Sequence, residues 1–245
     1  MPDRKPRQGI EAVCEFGFRP VAHVLARALA PLRVPPPAVV VAGACTGLLA
    51  ALEIGRGELL LAALLLQAKT LLDNADGQLA RLTGRITAFG RYLDSLCDLA
   101  VDAAIFAALG LRVGPWLALA GFVLLTGVLS VNFNLERLYR QAHGALPGPP
   151  DPSRIGRVYD AIYGPQDRLL DALAVRRSAA WHDARTVGIA ANFGLSTQLA
   201  VLGACLALGH PDAYVAIVAV CALTLVVLLV RRERIVRNPV PAQTS

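Results

Sequence analysis

Four uncharged apolar runs set the first constraint on this chain. Val34–Leu52, Val113–Leu135, Thr186–Gly209 and Ala213–Val230 each reach, or nearly reach, the length at which a helix crosses a bilayer. In hydrocarbon every backbone N–H and C=O needs an internal partner, so such runs fold as helices. Two further apolar segments carry charge: Leu59–Leu72 includes Lys69, and Ala88–Leu111 includes Arg91 and several aspartates. Counting both, the expectation is an all-α integral membrane protein with six transmembrane helices. The charged fraction agrees, at 17% against about 25% for a soluble domain.

The net charge of +6 follows topology rather than a nucleic-acid partner. Six Lys/Arg precede the first span, three lie in Arg81–Arg91, eight in Arg137–Arg185 and four in Arg231–Arg237. Only Arg56 and Arg112 fall in loops of the other side. With six spans every basic loop shares one face, and the positive-inside rule makes that face cytoplasmic. A nucleic-acid binder would need a basic face on a folded domain. The expected location is a bacterial inner or plasma membrane, multi-pass, with both termini inside.

Five cysteines, Cys14, Cys45, Cys97, Cys205 and Cys221, are scattered, and no Cys-x-x-Cys occurs. They read as small buried hydrophobes. The first apolar run starts too late and runs too long for a cleavable signal peptide. Residues 1–33 read as a cytoplasmic arm followed by an interfacial amphipathic helix, with Arg19, Arg27 and Arg33 toward anionic headgroups. Residues 34–235 read as a six-span membrane domain that includes a cytoplasmic segment 136–186. Residues 236–245 form a cytoplasmic tail.

Within this apolar frame one stretch is costly. Asp73-x-x-Asp76-Gly77-x-x-Ala80-Arg81 is followed, eight residues later, by Gly90-x-x-x-Asp94-x-x-x-Asp98. A carboxylate at bilayer depth costs roughly 2.5–3.5 kcal/mol even on the lenient insertion scale, so four cost on the order of 10 kcal/mol. A hard divalent cation offsets this most simply, because Mg²⁺ takes oxygen ligands and keeps waters. Asp73, Asp76 or Gly77, and Ala80 are helical neighbours, and Asp94, Asp98 and Asp102 follow one face of the next helix. Two Mg²⁺ ions would balance four carboxylates. Gly77 and Ala80 leave room for a large ligand. Arg81 presents paired planar donors to a phosphate. Together these residues point to metal-assisted phosphoryl chemistry.

The run resembles the signature of the CDP-alcohol phosphatidyltransferase family, and all eight defining positions match. The resemblance implies a dimeric membrane transferase that uses Mg²⁺ or Mn²⁺, in two ions. The donor would be CDP-diacylglycerol or a related CDP-alcohol. An acceptor hydroxyl attacks the phosphate bound to the alcohol, CMP leaves, and the product enters phospholipid synthesis. By resemblance Asp73, Asp76 and Asp94 hold the metals, with Asp98 as metal neighbour and candidate catalytic base. Gly77 and Ala80 would line the cytidine pocket and Arg81 would contact the donor's phosphates. Leu93–Phe106 looks like the inositol-phosphate branch, although that branch often carries Asp-Arg where this chain has Asp98-Leu99.

Arg137 and Arg140, one turn apart at the end of the fourth span, are candidates for holding an acceptor's or lipid's phosphate. Ordinary positive-inside flanking is the simpler explanation for them. His23, His143, His182 and His210 lack metal-ligand spacing and read as surface residues. Three other readings stay open. An aspartate-rich membrane prenyltransferase needs more spans and two separated motifs. A cation transporter, or a silent scaffold, would not need the arginine, glycines and alanine at these spacings.

Overall fold

A computed structural model of the chain describes residues 9–144, 152–176 and 183–237. The far N-terminal arm, most of the Gly144–Pro152 loop, part of the 136–186 segment and the tail after Arg237 lie outside the described residues. Among the described residues the chain is helix and turn throughout, with no strand.

The chain opens with a π-helical turn, Val13–Phe18, that runs into α1, Arg19–Leu29. Ala22 and Ala26 bury one face of α1, while Val21 and Val24 are exposed. The next helix, α2 (Pro36–Arg56), starts on prolines, whose missing N–H groups would have no helical partner at that position. It stops at Gly57, whose φ of +98° suits glycine and whose N–H caps Glu53 and Ile54.

The two aspartate helices follow, α3 (Leu59–Leu82) and α4 (Ala88–Val113). Gly84 at φ +66° ends α3, and the Arg85 N–H donates back to the Ala80 carbonyl at 2.8 Å. Thr87 opens α4, its hydroxyl accepting from the Gly90 amide at 3.0 Å. The turn between them sets the Asp73–Arg81 end of α3 beside the Gly90–Asp98 end of α4. These helices do not pack extensively on each other; both pack on α2. The consequence is a gap between α3 and α4 with α2 as its shared wall.

Gly114 leads into α5, Pro115–Ala142, and α6 covers Arg154–Arg176 with Pro165 inside it, the Ser153 hydroxyl accepting from the Gly156 amide at its start at 3.2 Å. The apolar run expected over Thr186–Gly209 forms two pieces, α7 (Ala184–Ala190) and α8 (Leu195–Ala207), with a 3₁₀ turn at Ala191–Phe193. Extended backbone at Gly194 makes the break. Glu11 fills it: its carboxylate accepts from the Thr197 amide at 2.9 Å and from the Thr197 hydroxyl at 3.0 Å. The acid thus sits at the positive end of α8, where a carboxylate is stabilising. A last helix, α9, spans Pro211–Arg237.

Four helical segments are long and apolar enough to cross a membrane: Pro36–Arg56, Pro115–Ala142, Ala184–Ala207 and Pro211–Arg234. The chain is an integral membrane protein. α3 and α4 are equally long but carry the charges of the site. The main core lies at the opposite end of the bundle from the aspartates, around Ile54, Leu66, Ile105, Leu109, Leu202 and Tyr214. A second cluster, with Leu135, Tyr139, Leu170, Val187 and Leu225, fastens α6 and α7 to α5 and α9.

Small residues on α2 set how near α3 and α4 approach. A Cβ on Gly47 would stand 2.5 Å from Val101 Cγ1, and one on Gly43 would stand 2.8 Å from Asp73 Oδ1. Gly47→Ala is therefore expected to overpack the α2–α4 contact and destabilise the fold by about 1–3 kcal/mol. Thermal melting in detergent should show the lowered midpoint, and adding Val101→Ala should recover part of it. A Gly47→Ala protein that melts like the parent would contradict this packing.

Candidate metal and substrate site

The gap between α3 and α4 holds the carboxylates. One oxygen each from Asp73, Asp94 and Asp98 lies within 4.8 Å of the others. These three residues are half-buried, so the cluster is open to ligands rather than sealed. Asp76 stands beside the trio, 6% exposed, with its Oδ1 accepting from the Gly77 amide. It remains within electrostatic reach of Asp73 and Asp98. The sequence-based grouping of four acids is thus realised as a close trio with Asp76 on its flank. Asp102 continues the α4 face but is buried, at 5% exposure, one turn deeper.

Sequence reasoning gave Lys69 no role. Its side chain is fully buried, one turn before Asp73 on α3. The ammonium donates to Asp73 Oδ2 and, at 2.7 Å, to Asp98 Oδ1. It therefore ties α3 to α4 across the gap. The i, i+4 spacing to Asp73 was the only signal available in the sequence.

Gly77, Ala80 and Arg81 occupy the last turns of α3 beside the acids. A Cβ on Gly77 would stand 3.4 Å from Arg81 Nη1, so the guanidinium lies back over the bare glycine. Ala80 is half-buried. Small side chains at Gly77 and Ala80 keep this stretch of α3 low, and the Arg81 guanidinium has the chemistry to meet a phosphate.

Neighbouring elements hold α3 in place. Asn74 Nδ2 donates to the Thr70 carbonyl at 2.8 Å and to Ser196 Oγ at 3.2 Å, and Cys14 Sγ lies 2.9 Å from Asn74 Oδ1. Gln78 Nε2 donates to the Arg19 carbonyl at 3.2 Å, and His23 Nδ1 lies 3.2 Å from Gln78 Oε1. His23 thus reads as a latch between α1 and α3, not as a surface residue.

On the other side α6 lies against the start of α4. Tyr163 donates to the Ser95 carbonyl at 3.1 Å, and the rings of Tyr92, Tyr159 and Tyr163 stack in sequence with centroids 4.6 and 4.8 Å apart. Burial first, then Asp167, pushes the Tyr159 phenol up to about 12. Burial first, then Asp98, raises Tyr163 as well. Both remain protonated donors at neutral pH.

Arg137 and Arg140 are not brought to the aspartates by their contacts. Arg137 pairs with Asp171 of α6, and its Nε donates to Asn134 Oδ1 at 3.0 Å. Asn134 in turn donates to Asp167 at 2.9 Å. Arg140 Nε lies 3.8 Å from Glu136 Oε1, on its own helix. Arg137 fastens α6 onto α5, a role that needs no phosphate.

The family model for CDP-alcohol phosphatidyltransferase matches residues 33–160, just over half of the chain and all of the aspartate helices. The chain belongs to that family. Two curated relatives are similar to part of the chain. The bifunctional IPC transferase and DIPP synthase of Aquifex aeolicus is 37% identical over 89 residues, covering 34% of this chain and 20% of that protein. The archaetidylinositol phosphate synthase of Pyrococcus horikoshii is 36% identical over 87 residues, covering 36% of this chain and 46% of that protein. The chain therefore spans less than half the length of either relative. A crystal structure of Mycobacterium tuberculosis phosphatidylinositol phosphate synthase with CDP-DAG bound aligns at TM-score 0.45 and 20% identity, over 92% of this chain and 98% of that one.

The donor set near Asp73 fits a hard divalent cation: all-oxygen, anionic, close and accessible. Binding to the folded state alone stabilises it, by about 2.7 kcal/mol at a hundred times the dissociation constant. Excess Mg²⁺ should accordingly raise the melting temperature of the detergent-solubilised protein relative to chelator. Asp94→Asn should lose most of that gain. Equal gains in the two proteins would put the cation elsewhere.

Proposed function

We propose that this chain is a CDP-alcohol phosphotransferase, moving a phosphatidyl or related phospho-alcohol group from a CDP-alcohol to an acceptor hydroxyl with release of CMP. The observation that carries the reading is the close approach of Asp73, Asp94 and Asp98 across the α3–α4 gap. Family membership supports it. The donor is CDP-diacylglycerol or a close analogue, and the acceptor is a phosphorylated polyol. Support for that acceptor comes from the names of the two curated relatives and from Leu93–Phe106.

In this reading Asp73, Asp76, Asp94 and Asp98 hold Mg²⁺ or Mn²⁺, two ions in all. Bound there, the cations supply charge stabilisation at the reacting phosphate. Arg81 orients the donor's phosphates, while Gly77 and Ala80 line the cytidine pocket because neither residue has bulk to exclude the nucleotide. Asp98 is the group placed to take the proton from the acceptor hydroxyl, and its value there is position rather than basicity. Atoms balance: the acceptor oxygen bonds to the phosphorus, the bond to CMP breaks, and the proton goes to Asp98. Arg140, half-exposed at the end of α5, supplies a donor to the acceptor's phosphate.

The wider arrangement belongs to the same proposal. α3 and α4 complete six spans, the acids line the cytoplasmic side of a bacterial plasma membrane, and α1 lies in the interface. Residues 1–33 act as arm and anchor, 34–235 as the catalytic domain with the 136–186 segment over its active face, and 236–245 as a tail. The enzyme works as a homodimer. The arginine distribution supports the orientation. Exposed Phe16, Val21, Val24 and Leu32 support the interfacial placement of the N-terminal segment.

Release of CMP from CDP-diacylglycerol by the purified chain, with inositol phosphate as acceptor and Mg²⁺ present, tests the reading directly. Turnover should vanish in excess chelator, return with Mg²⁺ or Mn²⁺, and be lost in Asp76→Asn. Full turnover in chelator, or in Asp76→Asn, would remove the acids from the reaction. Hydrolysis or transfer of a prenyl diphosphate with no CMP release would favour the prenyltransferase alternative.

The acceptor site has its own test. A charge-assisted hydrogen bond to phosphate is worth ~1.5–3 kcal/mol, so Arg140→Ala should raise the acceptor's KM roughly ten- to a hundredfold. The donor's KM should move far less. An unchanged acceptor KM would leave Arg140 as a topology signal, and a preference for an unphosphorylated alcohol would overturn the acceptor class.

A further inference from the structure

Lys69 is an anomaly in this chain. Of its 24 basic residues only Lys5 and Lys69 are lysines, and the rest are arginines. Lys69 is also fully buried, whereas Lys side chains almost never are unless paired. Its ammonium touches two of the three clustered carboxylates, Asp73 and Asp98, one from each aspartate helix.

Helix stabilisation does not explain the residue. An i, i+4 pair favours the acid on the N-terminal side, and here the lysine comes first. Shape does explain the choice of lysine over arginine. An ammonium is a compact point charge with three donors, while guanidinium is a wide planar fork. The stem runs past Gly47 of α2, where even a Cβ would come within 3.1 Å of Lys69 Cδ. The bare backbone at Gly47 admits the lysine, and the lysine reaches the centre of the acid cluster.

We propose that Lys69 is a resident placeholder cation, a positioning residue that holds Asp73 and Asp98 together until a divalent cation takes their oxygens. The inference rests on the metal-dependent reading above. Ammonium and divalent cation compete for the same oxygen lone pairs. Lys69 therefore keeps the site assembled without metal, and it also weakens metal binding. Removing it has a signed consequence. The metal-free protein becomes less stable because Asp73 and Asp98 repel each other uncompensated. The divalent cation binds more tightly because its competitor is gone.

Titration of the full-length protein in detergent with Mn²⁺, followed by the electron paramagnetic resonance of free Mn²⁺, tests this. Lys69→Gln should bind Mn²⁺ at least about tenfold more tightly than the parent, about 1.4 kcal/mol. Its melting temperature in chelator should fall, and its gain on adding Mg²⁺ should exceed the parent's. A merely structural lysine would lower stability without tightening Mn²⁺. Unchanged or weaker Mn²⁺ binding overturns the placeholder. Should Lys69→Gln not fold, the parent protein with ¹⁵N-labelled lysine gives the answer. Saturating Mg²⁺ should shift the Lys69 ammonium resonance and leave that of Lys5 in place, and an unmoved Lys69 signal overturns the proposal. A parent protein that binds no Mn²⁺ defeats the metal reading and the placeholder together. Mn²⁺ binding and CMP release by the parent, with unaltered affinity in Lys69→Gln, defeat the placeholder alone.

Discussion

Like charges at close range inside an apolar bundle repel strongly, and the placing of Asp73, Asp94 and Asp98 within 4.8 Å of one another governs much of what surrounds them. The helices that carry them stand apart rather than packing face to face, so the acids look into a gap. That gap needs a wall, and α2 supplies one by packing on both helices at Gly43 and Gly47. It needs charge compensation, and Lys69 reaches it from below. It also needs rigid supports, since a site loosened by an ångström loses much of its power. Asn74 and Gln78 fasten the intervening turns of α3 to α8, to the N-terminal segment and to α1.

Much of this was legible in the sequence because it rests on spacing within single helices. The i, i+3, i+4 pattern from Asp73 to Arg81 and the Asp94–Asp98 step each survive as continuous helix. Three of the four uncharged apolar runs are single long helices for the same reason. Contacts between distant segments were not legible. Glu11 caps α8 across 186 residues, and nothing local to either partner announces it. The break at Ala191–Gly194 was hidden inside an unbroken apolar run, because composition does not reveal a backbone turn whose groups a distant acid satisfies.

Arginines posed a different difficulty. Arg81, Arg137 and Arg140 all fit a phosphate by chemistry, but their partners in three dimensions separate them. Arg81 lies over Gly77 on the aspartate-bearing helix, while Arg137 meets Asn134 and Asp171 and fastens α6. Lys69 was passed over for the opposite reason. In the sequence it is only a charge in an apolar run, and its i, i+4 relation to Asp73 is what places it in the site. A charge inside a membrane helix is better asked for its partner than counted against the helix.

The proposed chemistry requires the carboxylates of α3 and α4 to hold a divalent cation. An experimental structure of the protein grown with Mn²⁺ and a CDP-alcohol, with anomalous scattering recorded at the manganese edge, addresses this most directly. The account predicts anomalous density among the Asp73, Asp94 and Asp98 oxygens, with the donor's phosphates on the Arg81 side. Anomalous density elsewhere, or bound donor with none at these aspartates, would contradict it.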